Sequence, residues 1–297
     1  MRRLYVDTSL GQVHCTTAGA EDAPPLLLIG SAGRSARVFD GLIQRLAPRF
    51  RVLAPDLLGC GNSDPLPPGA RIETLAGNLV EVLDALGIAR THFYGFQTGN
   101  KIGAALAARW PGRVGRVVLA GSSHSLVPDK AKRDAAILHA VSHYFEGAGA
   151  GDEARRLQLW TMGFRRIAEL WWDGALFAAG TPSAEAIERA RQAVVDRVQG
   201  LPAAVGTYEA NFAYDLGADL RRIAAKVLLI EVATPTEDRT LGRQGPLLLE
   251  MMPGAELVTL EEPDAPSHGI TLAARYPELA RLLTRFLLAE DDETRSA

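Results

Sequence analysis

The residues best suited to chemistry cluster in one short stretch, Tyr94-Gly95-Phe96-Gln97-Thr98-Gly99-Asn100. An apolar run, Thr91-His92-Phe93-Tyr94, leads into it, and an alanine-rich amphipathic run, Lys101 to Arg109, leads out. Strand, glycine-flanked turn and helix in that order form a nucleophile elbow, in which small residues admit a strained turn that lifts the middle side chain onto the top of a sheet. The middle residue is Gln97. A carboxamide is no nucleophile at neutral pH. It offers two N–H donors and one carbonyl acceptor, so its natural task is to hold a water molecule or a carbonyl group.

Other chemistry-bearing residues have plainer readings. His139 and His143 stand four apart, on one face of a helix and at a metal-ligand spacing. No glutamate sits between them in the H-E-x-x-H sense and no third ligand is evident, although Glu146 lies one turn on, so a polar helix face is expected. Gly30-Ser31-Ala32-Gly33 lacks the G-K-[ST] ending of a phosphate loop. Cys60 reads as a small packed hydrophobe, Ser122 and Ser123 as loop or helix-capping serines, and His14 as a cross-strand or half-buried histidine. No dinucleotide or metal motif survives, and no cofactor is expected.

Positioning the elbow requires a sheet. Leu4 to Thr8 and Gln12 to Thr17 alternate around Ser9-Leu10-Gly11, the pattern of a β-hairpin. Pro24–Ile29, Phe50–Ala54, Thr91–Tyr94, Val114–Leu119, Lys226–Ile230 and Leu257–Leu260 are short apolar runs, as in parallel strands covered on both faces. Between them, Val38–Leu46, Ile72–Leu86, Leu241–Met252 and Thr271–Leu288 read as helices, the second with Leu75, Leu79, Val82, Leu83 and Leu86 on one face. Strands alternating with helices mean βαβ units. From about Asp129 to Asn211 the pattern is helical, with no good strand, and holds Trp160, Trp171 and Trp172. We read residues 1–124 and 216–297 as the core and 125–215 as an inserted helical lid, with Trp160 a candidate for the pocket lining and an acidic-polar tail from Glu290.

The 297 residues are 47% hydrophobic and carry a net charge of −3, with a pI near 6.1. That balance argues against nucleic acid, which calls for a basic excess. No run approaches the roughly 20 apolar residues that span a bilayer. Two cysteines make no disulfide framework, so a reducing, cytoplasmic setting without membrane attachment is expected. A homodimer is left open.

Four features in register then resemble the α/β-hydrolase superfamily: Leu26-Leu27-Leu28-Ile29-Gly30; the glycine loop Pro55-Asp56-Leu57-Leu58-Gly59-Cys60-Gly61-Asn62-Ser63-Asp64; the elbow Gly95-Phe96-Gln97-Thr98-Gly99; and Ser267-His268-Gly269 before the final helix. The resemblance implies an α/β fold with a mostly parallel eight-stranded sheet, helices on both faces and the helical lid. It places His268 at the catalytic histidine, facing Gln97 at the nucleophile position. The aligned acid falls near Thr234 or Pro235, which are not acids; Glu237 and Asp238 follow and could reach His268 if the loop shortens, and Glu231 reads as a sheet-end residue. By the same alignment the oxyanion-hole donors are the backbone N–H groups of Ser31 and Thr98, with Gly30 allowing close approach. His124 is a second candidate for acid–base work.

Three functions compete on this reading. One is an enzyme without a covalent intermediate, with His268 as general base or acid and Gln97 holding water or substrate for hydrolysis or a lyase-type step on a small, hydrophobic molecule. The second is a catalytically silent binding protein of the same fold. The third, a hydrolase with a displaced nucleophile, is the poorest fit.

Overall fold

The computed structural model describes residues 1–121, 126, 130–132, 134–135, 138–139, 192, 195–196, 199–240, 242–262 and 272–290. Eight strands form one sheet: β1 (Arg2–Thr8), β2 (Gly11–Ala18), β3 (Pro25–Ile29), β4 (Arg51–Pro55), β5 (Thr91–Phe96), β6 (Val114–Ala120), β7 (Val227–Ala233) and β8 (Glu256–Glu261). Their spatial order is β1-β2-β4-β3-β5-β6-β7-β8. β2 pairs antiparallel with β1 and with β4; the other neighbours are parallel.

Alternation along the central strands explains why both faces are covered. Leu27, Ile29, Leu53, Phe93, Val117, Leu119 and Leu229 point to one core. Leu26, Leu28, Val52, Tyr94, Val118, Leu228 and Ile230 point to the other. The first core is closed by α2 (Ile72–Ala85), through Leu75, Leu79, Val82 and Leu83, and by α3 (Thr98–Arg109), through Ile102 and Leu106. The second is closed by α1 (Asp40–Leu46) and the last helix. Between β6 and β7 the described residues are helical apart from short links, and include α4 (Ala204–Ala213) and α5 (Leu216–Leu220).

Among the differences from the sequence reading, three helix starts involve a proline. The segment after β7, expected as a loop, is helix α6 (Pro235–Thr240). Pro235 has its φ preset for a first helical position, and Asp238 N donates to Thr234 O at 2.8 Å. Helix α7 spans Gly245–Met251 rather than starting at Leu241, with a proline in its first turn. Glu231 caps it: Oε1 accepts the N–H groups of Gln244 at 2.8 Å and Gly245 at 2.7 Å. The closing helix α8 (Tyr276–Leu287) likewise carries a proline, Pro277, in its first turn, after a 3-10 turn over Ala273–Arg275.

Candidate functional site

Gln97 joins β5 to α3 at φ 53° and ψ −108°, and is the one non-glycine residue with positive φ among the described residues. Such a backbone costs of order 1–3 kcal/mol and persists only where its surroundings impose it. Here they do. Gln97 N donates to Ala120 O at 2.9 Å, and Gln97 O accepts from Asn100 N at 3.0 Å. Gly95 and Gly99 must be glycine: a Cβ would lie 2.3 Å from Gly99 O in the first case and 2.2 Å from Ile29 O in the second. A Cβ on Gly121 would come within 3.2 Å of Gln97 Cγ, so the Gln97 side chain lies over the end of β6. Asn100, buried one residue beyond Gly99, donates to Ala120 O and Gly121 O at 3.2 and 3.4 Å.

The same glycine brings the second group of predicted residues alongside. A Cβ on Gly99 would also lie 3.1 Å from Gly30 O, so the start of α3 rests on the Gly30–Ser35 loop that follows β3. Thr98 opens α3. Its N–H is among the first-turn donors with no partner inside a helix, at the end that favours negative charge. Gly30 and Ser31 are half-buried. Thr98 Oγ1 accepts from Asn211 Nδ2 of α4 at 3.3 Å.

The Gly30–Ser35 loop is anchored from beneath. Asp56, 1% exposed, accepts from Ala36 N at 2.5 Å and Asn62 N at 2.9 Å and pairs with His14 Nδ1 at 2.8 Å. His14 is therefore fully buried and tied to a carboxylate as well as lying opposite Tyr5 across the hairpin. Sequence reasoning missed that pair. Cys60 is buried, and the backbone N–H groups of Gly33 and Arg34 point to its sulfur; desolvation pushes its thiol up to about 11. A thiol protonated at neutral pH is a poor nucleophile, which agrees with a packing role.

On the acid side, Asp238 lies in α6 and its carboxylate is held by Arg243 Nη2 at 2.8 Å. Arg243 also meets Glu261 at 3.1 Å and Glu231 at 3.8 Å. A cavity of about 30 Å³ at the ends of β6 and β7 is lined by Asn100, Gly121, Asp238 and Arg243 together with leucines, so Asn100 of α3 and Asp238 border one hollow, while Gln97 does not line it. Glu237 falls in the same helix as Asp238; its side chain, like His268, His124, Trp160 and His143, lies outside the described residues. The described residues hold no cluster of three metal-ligating side chains and no helix long and apolar enough to cross a membrane.

The architecture and the strained elbow are those of a fold class that comparison also finds. Residues 24–159 match the family model for the α/β hydrolase fold. "Putative carbamate hydrolase RutD" of Stutzerimonas stutzeri (strain A1501) is 29% identical over 245 residues, 80% of this chain and 83% of that protein. "Uncharacterized carboxylesterase nap" of Bacillus subtilis (strain 168) is 25% identical over 266 residues, 81% of this chain and 85% of the relative. Among solved structures, a hydrolase from Pseudomonas aeruginosa PA01 superposes with a TM-score of 0.71 at 26% identity, covering 97% of this chain and 98% of that one. The chain has the α/β hydrolase fold and is similar in sequence to hydrolases that share it.

Proposed function

We propose that this protein of α/β hydrolase fold is a cofactor-independent enzyme that cleaves a small, hydrophobic carbonyl compound without a covalent intermediate. The similarity to proteins named as a carbamate hydrolase and a carboxylesterase supports acyl chemistry. The observation that carries the reading is the backbone of Gln97. A strained, glycine-dependent turn is maintained around a residue that cannot attack, at φ 53°. Retained strain points to a placed side chain, and a placed carboxamide is a positioning group.

In this mechanism the Gln97 amide orients a water molecule or the substrate carbonyl. His268 removes a proton as the water oxygen bonds to the carbonyl carbon, and returns it to the leaving oxygen or nitrogen as that bond breaks. The N–H groups of Thr98 and Ser31 receive the oxyanion. General-base help contributes about 10²–10⁴-fold and a preorganised oxyanion donor about 10²–10³-fold. That suffices for an activated ester or carbamate, or for a lyase-type step, and not for a plain amide.

A second reading, a ligand-binding protein without turnover, is favoured by one specific contact: Asp238 is occupied by Arg243 at 2.8 Å, which competes with any role in orienting His268. The test is turnover of a short-chain p-nitrophenyl ester by wild type, His268→Ala and Gln97→Ser. The mechanism requires wild-type turnover without a burst that disappears in His268→Ala. Turnover that survives His268→Ala rules it out. An inert wild type whose Gln97→Ser variant gains a burst removes ester hydrolysis as the natural reaction while keeping the oxyanion donors. Inert variants throughout put the binding reading first.

A further inference from the structure

Asp56 gathers three stretches of chain that lie far apart in sequence. Its Oδ1 accepts from Ala36 N at 2.5 Å, where the Gly30–Ser35 loop passes into a 3-10 turn (Ala36–Phe39). Its Oδ2 accepts from Asn62 N of the glycine loop at 2.9 Å and meets His14 Nδ1 of β2 at 2.8 Å. A carboxylate only accepts, so the proton of that last contact lies on Nδ1. The backbones are tied at the same place. Asp56 N donates to His14 O at 2.8 Å, while Ser63 Oγ accepts from His14 N at 2.9 Å and donates to Asp56 O at 2.7 Å. A Cβ on Gly61 would lie 2.1 Å from Asp56 Oδ2, so the glycine loop closes directly over the carboxylate.

The 3-10 turn carries this anchorage back to the start of the loop. Phe39, its last residue, sets its ring 3.4 Å from where a Gly30 Cβ would stand and packs edge-on against Tyr94 of β5, with centroids 5.9 Å apart. Val38 N donates to Ser35 O at 3.2 Å. Gly30 is therefore held by the start of α3 and by Phe39, and the turn that carries Phe39 begins at the N–H bound by Asp56. Both members of the pair are buried, His14 at 3% and Asp56 at 1% exposed. Burying a carboxylate is costly even when it is hydrogen-bonded, and apolar side chains would fill the space without that cost. What they lack is an acceptor for Ala36 N and Asn62 N.

We propose that Asp56 and His14 are positioning residues for the oxyanion hole. Asp56 fixes the end of the Gly30–Ser35 loop through Ala36 N, and His14 fixes the Asp56 carboxylate; together they set where the N–H of Ser31 stands. Both act from beneath the loop, without contact to substrate. This rests on reading Ser31 as an oxyanion donor. The imidazole serves as one N–H donor and not as a base, because its Nδ1 is committed to Asp56. His14→Asn therefore keeps the contact, with an amide N–H in place of Nδ1–H, and His14→Phe, a ring without the donor, loses it. Asp56→Asn fails as well: its single oxygen cannot serve both Ala36 N and the side of Asn62 and His14, and its amide nitrogen is left facing an N–H.

Hydrogen–deuterium exchange of wild type, His14→Phe, His14→Asn and Asp56→Asn tests this, with kcat and KM for the p-nitrophenyl ester measured in parallel. In His14→Phe and Asp56→Asn, amides of residues 30–37 exchange about ten-fold faster or more, as for a locally released loop, while amides of β5 and β6 keep wild-type protection. His14→Asn matches wild type. Where the ester is turned over, kcat falls about 10²-fold in His14→Phe, the scale of a misplaced group, with KM nearly unchanged, and His14→Asn restores it. Unchanged protection of 30–37 in either His14→Phe or Asp56→Asn overturns the proposal, as does a loosened loop with unchanged kcat. Equal loosening in His14→Phe and His14→Asn, or faster exchange spread evenly over the sheet, also overturns it, since either assigns the pair to general stability. If one of His14→Phe and Asp56→Asn does not fold, the other decides by the same criteria. A loop that loosens in this pattern in a chain whose wild type is inert supports the positioning role and sinks only the catalytic reading of the site.

Discussion

At the scale of single residues, the elbow is where local energetics and chemistry conflict. Gln97 holds φ 53° and ψ −108°, a conformation glycine adopts without strain. Relief of about 1–3 kcal/mol, set against about 0.5–1 kcal/mol for glycine's freedom in the unfolded chain, leaves a net gain of about 1 kcal/mol for Gln97→Gly. That is about 2 °C in Tm for a chain of this size, with loss of any turnover; a thermal melt that falls instead shows that the Gln97 side-chain contacts outweigh the strain. Gly99→Ala goes the other way. Its Cβ would lie 2.2 Å from a backbone oxygen of Ile29, which has no flexible end to move aside, so destabilisation of about 3 kcal/mol or more is expected in urea unfolding. This part of the site was legible because glycine spacing is a local signal. The His14–Asp56 pair was not, since its members are 42 residues apart and nothing local marks either one. Asp196, fully buried and accepting from Gln192 Nε2, was equally silent: a lone carboxyl in a helical stretch reads as solvated, and only the fold turns it inward.

At the scale of elements, boundaries were legible where hydrophobic period and punctuation agree and not where a short polar helix begins on proline. Pro235-Thr236-Glu237-Asp238 has no apolar stripe, so α6 read as loop. The junction of α3 with α4 shows a similar blind spot. Lys101 sits in the first turns of an amphipathic helix, where a lysine normally faces water. It is instead 5% exposed, with Nζ donating to Asn211 O at 2.9 Å and lying 5.9 Å from the Phe212 ring centroid. Asn211 in turn reaches Thr98 Oγ1, so α4 is clamped to the start of the elbow helix by adjacent contacts. A hydrogen bond from a charged donor contributes about 1.5–3 kcal/mol. Lys101→Met, which keeps the aliphatic stem, should lower unfolding stability by about 2 kcal/mol and increase proteolysis within residues 204–213. Intact protection of α4 in Lys101→Met would show that helix packing alone holds it.

At the scale of the whole molecule, a sheet covered on both faces leaves few polar interruptions, and its two cores bury the ionisable groups that fall within them. The alternation of Leu26 and Leu28 against Leu27 and Ile29 made that sandwich legible from sequence. The price of the arrangement appears at alkaline pH. Cys15 is 0% exposed, and burial, reinforced by the charge of Asp56, raises its thiol from 9.0 to about 12; Cys60 rises to about 11. Burial raises Tyr94 and Tyr214 in the same sense. In the unfolded chain a thiol loses its proton near pH 9, while the folded state holds that proton two to three units longer. The folded state therefore binds more protons across this window, and stability falls as pH rises through it. At 1.36 kcal/mol per unit, Cys15 alone removes about 3 kcal/mol between about pH 9 and about pH 11. Below pH 9 both states carry the neutral thiol and the group contributes no slope. Cys15→Ala leaves a small cavity and is less stable than wild type at neutral pH, yet its stability declines less steeply above pH 9. The two urea midpoints, measured at matched ionic strength, should therefore converge as pH rises. Parallel curves from neutral to alkaline pH would show that Cys15 is reached by water before the sheet opens, and would move the origin of the alkaline loss to the buried tyrosines.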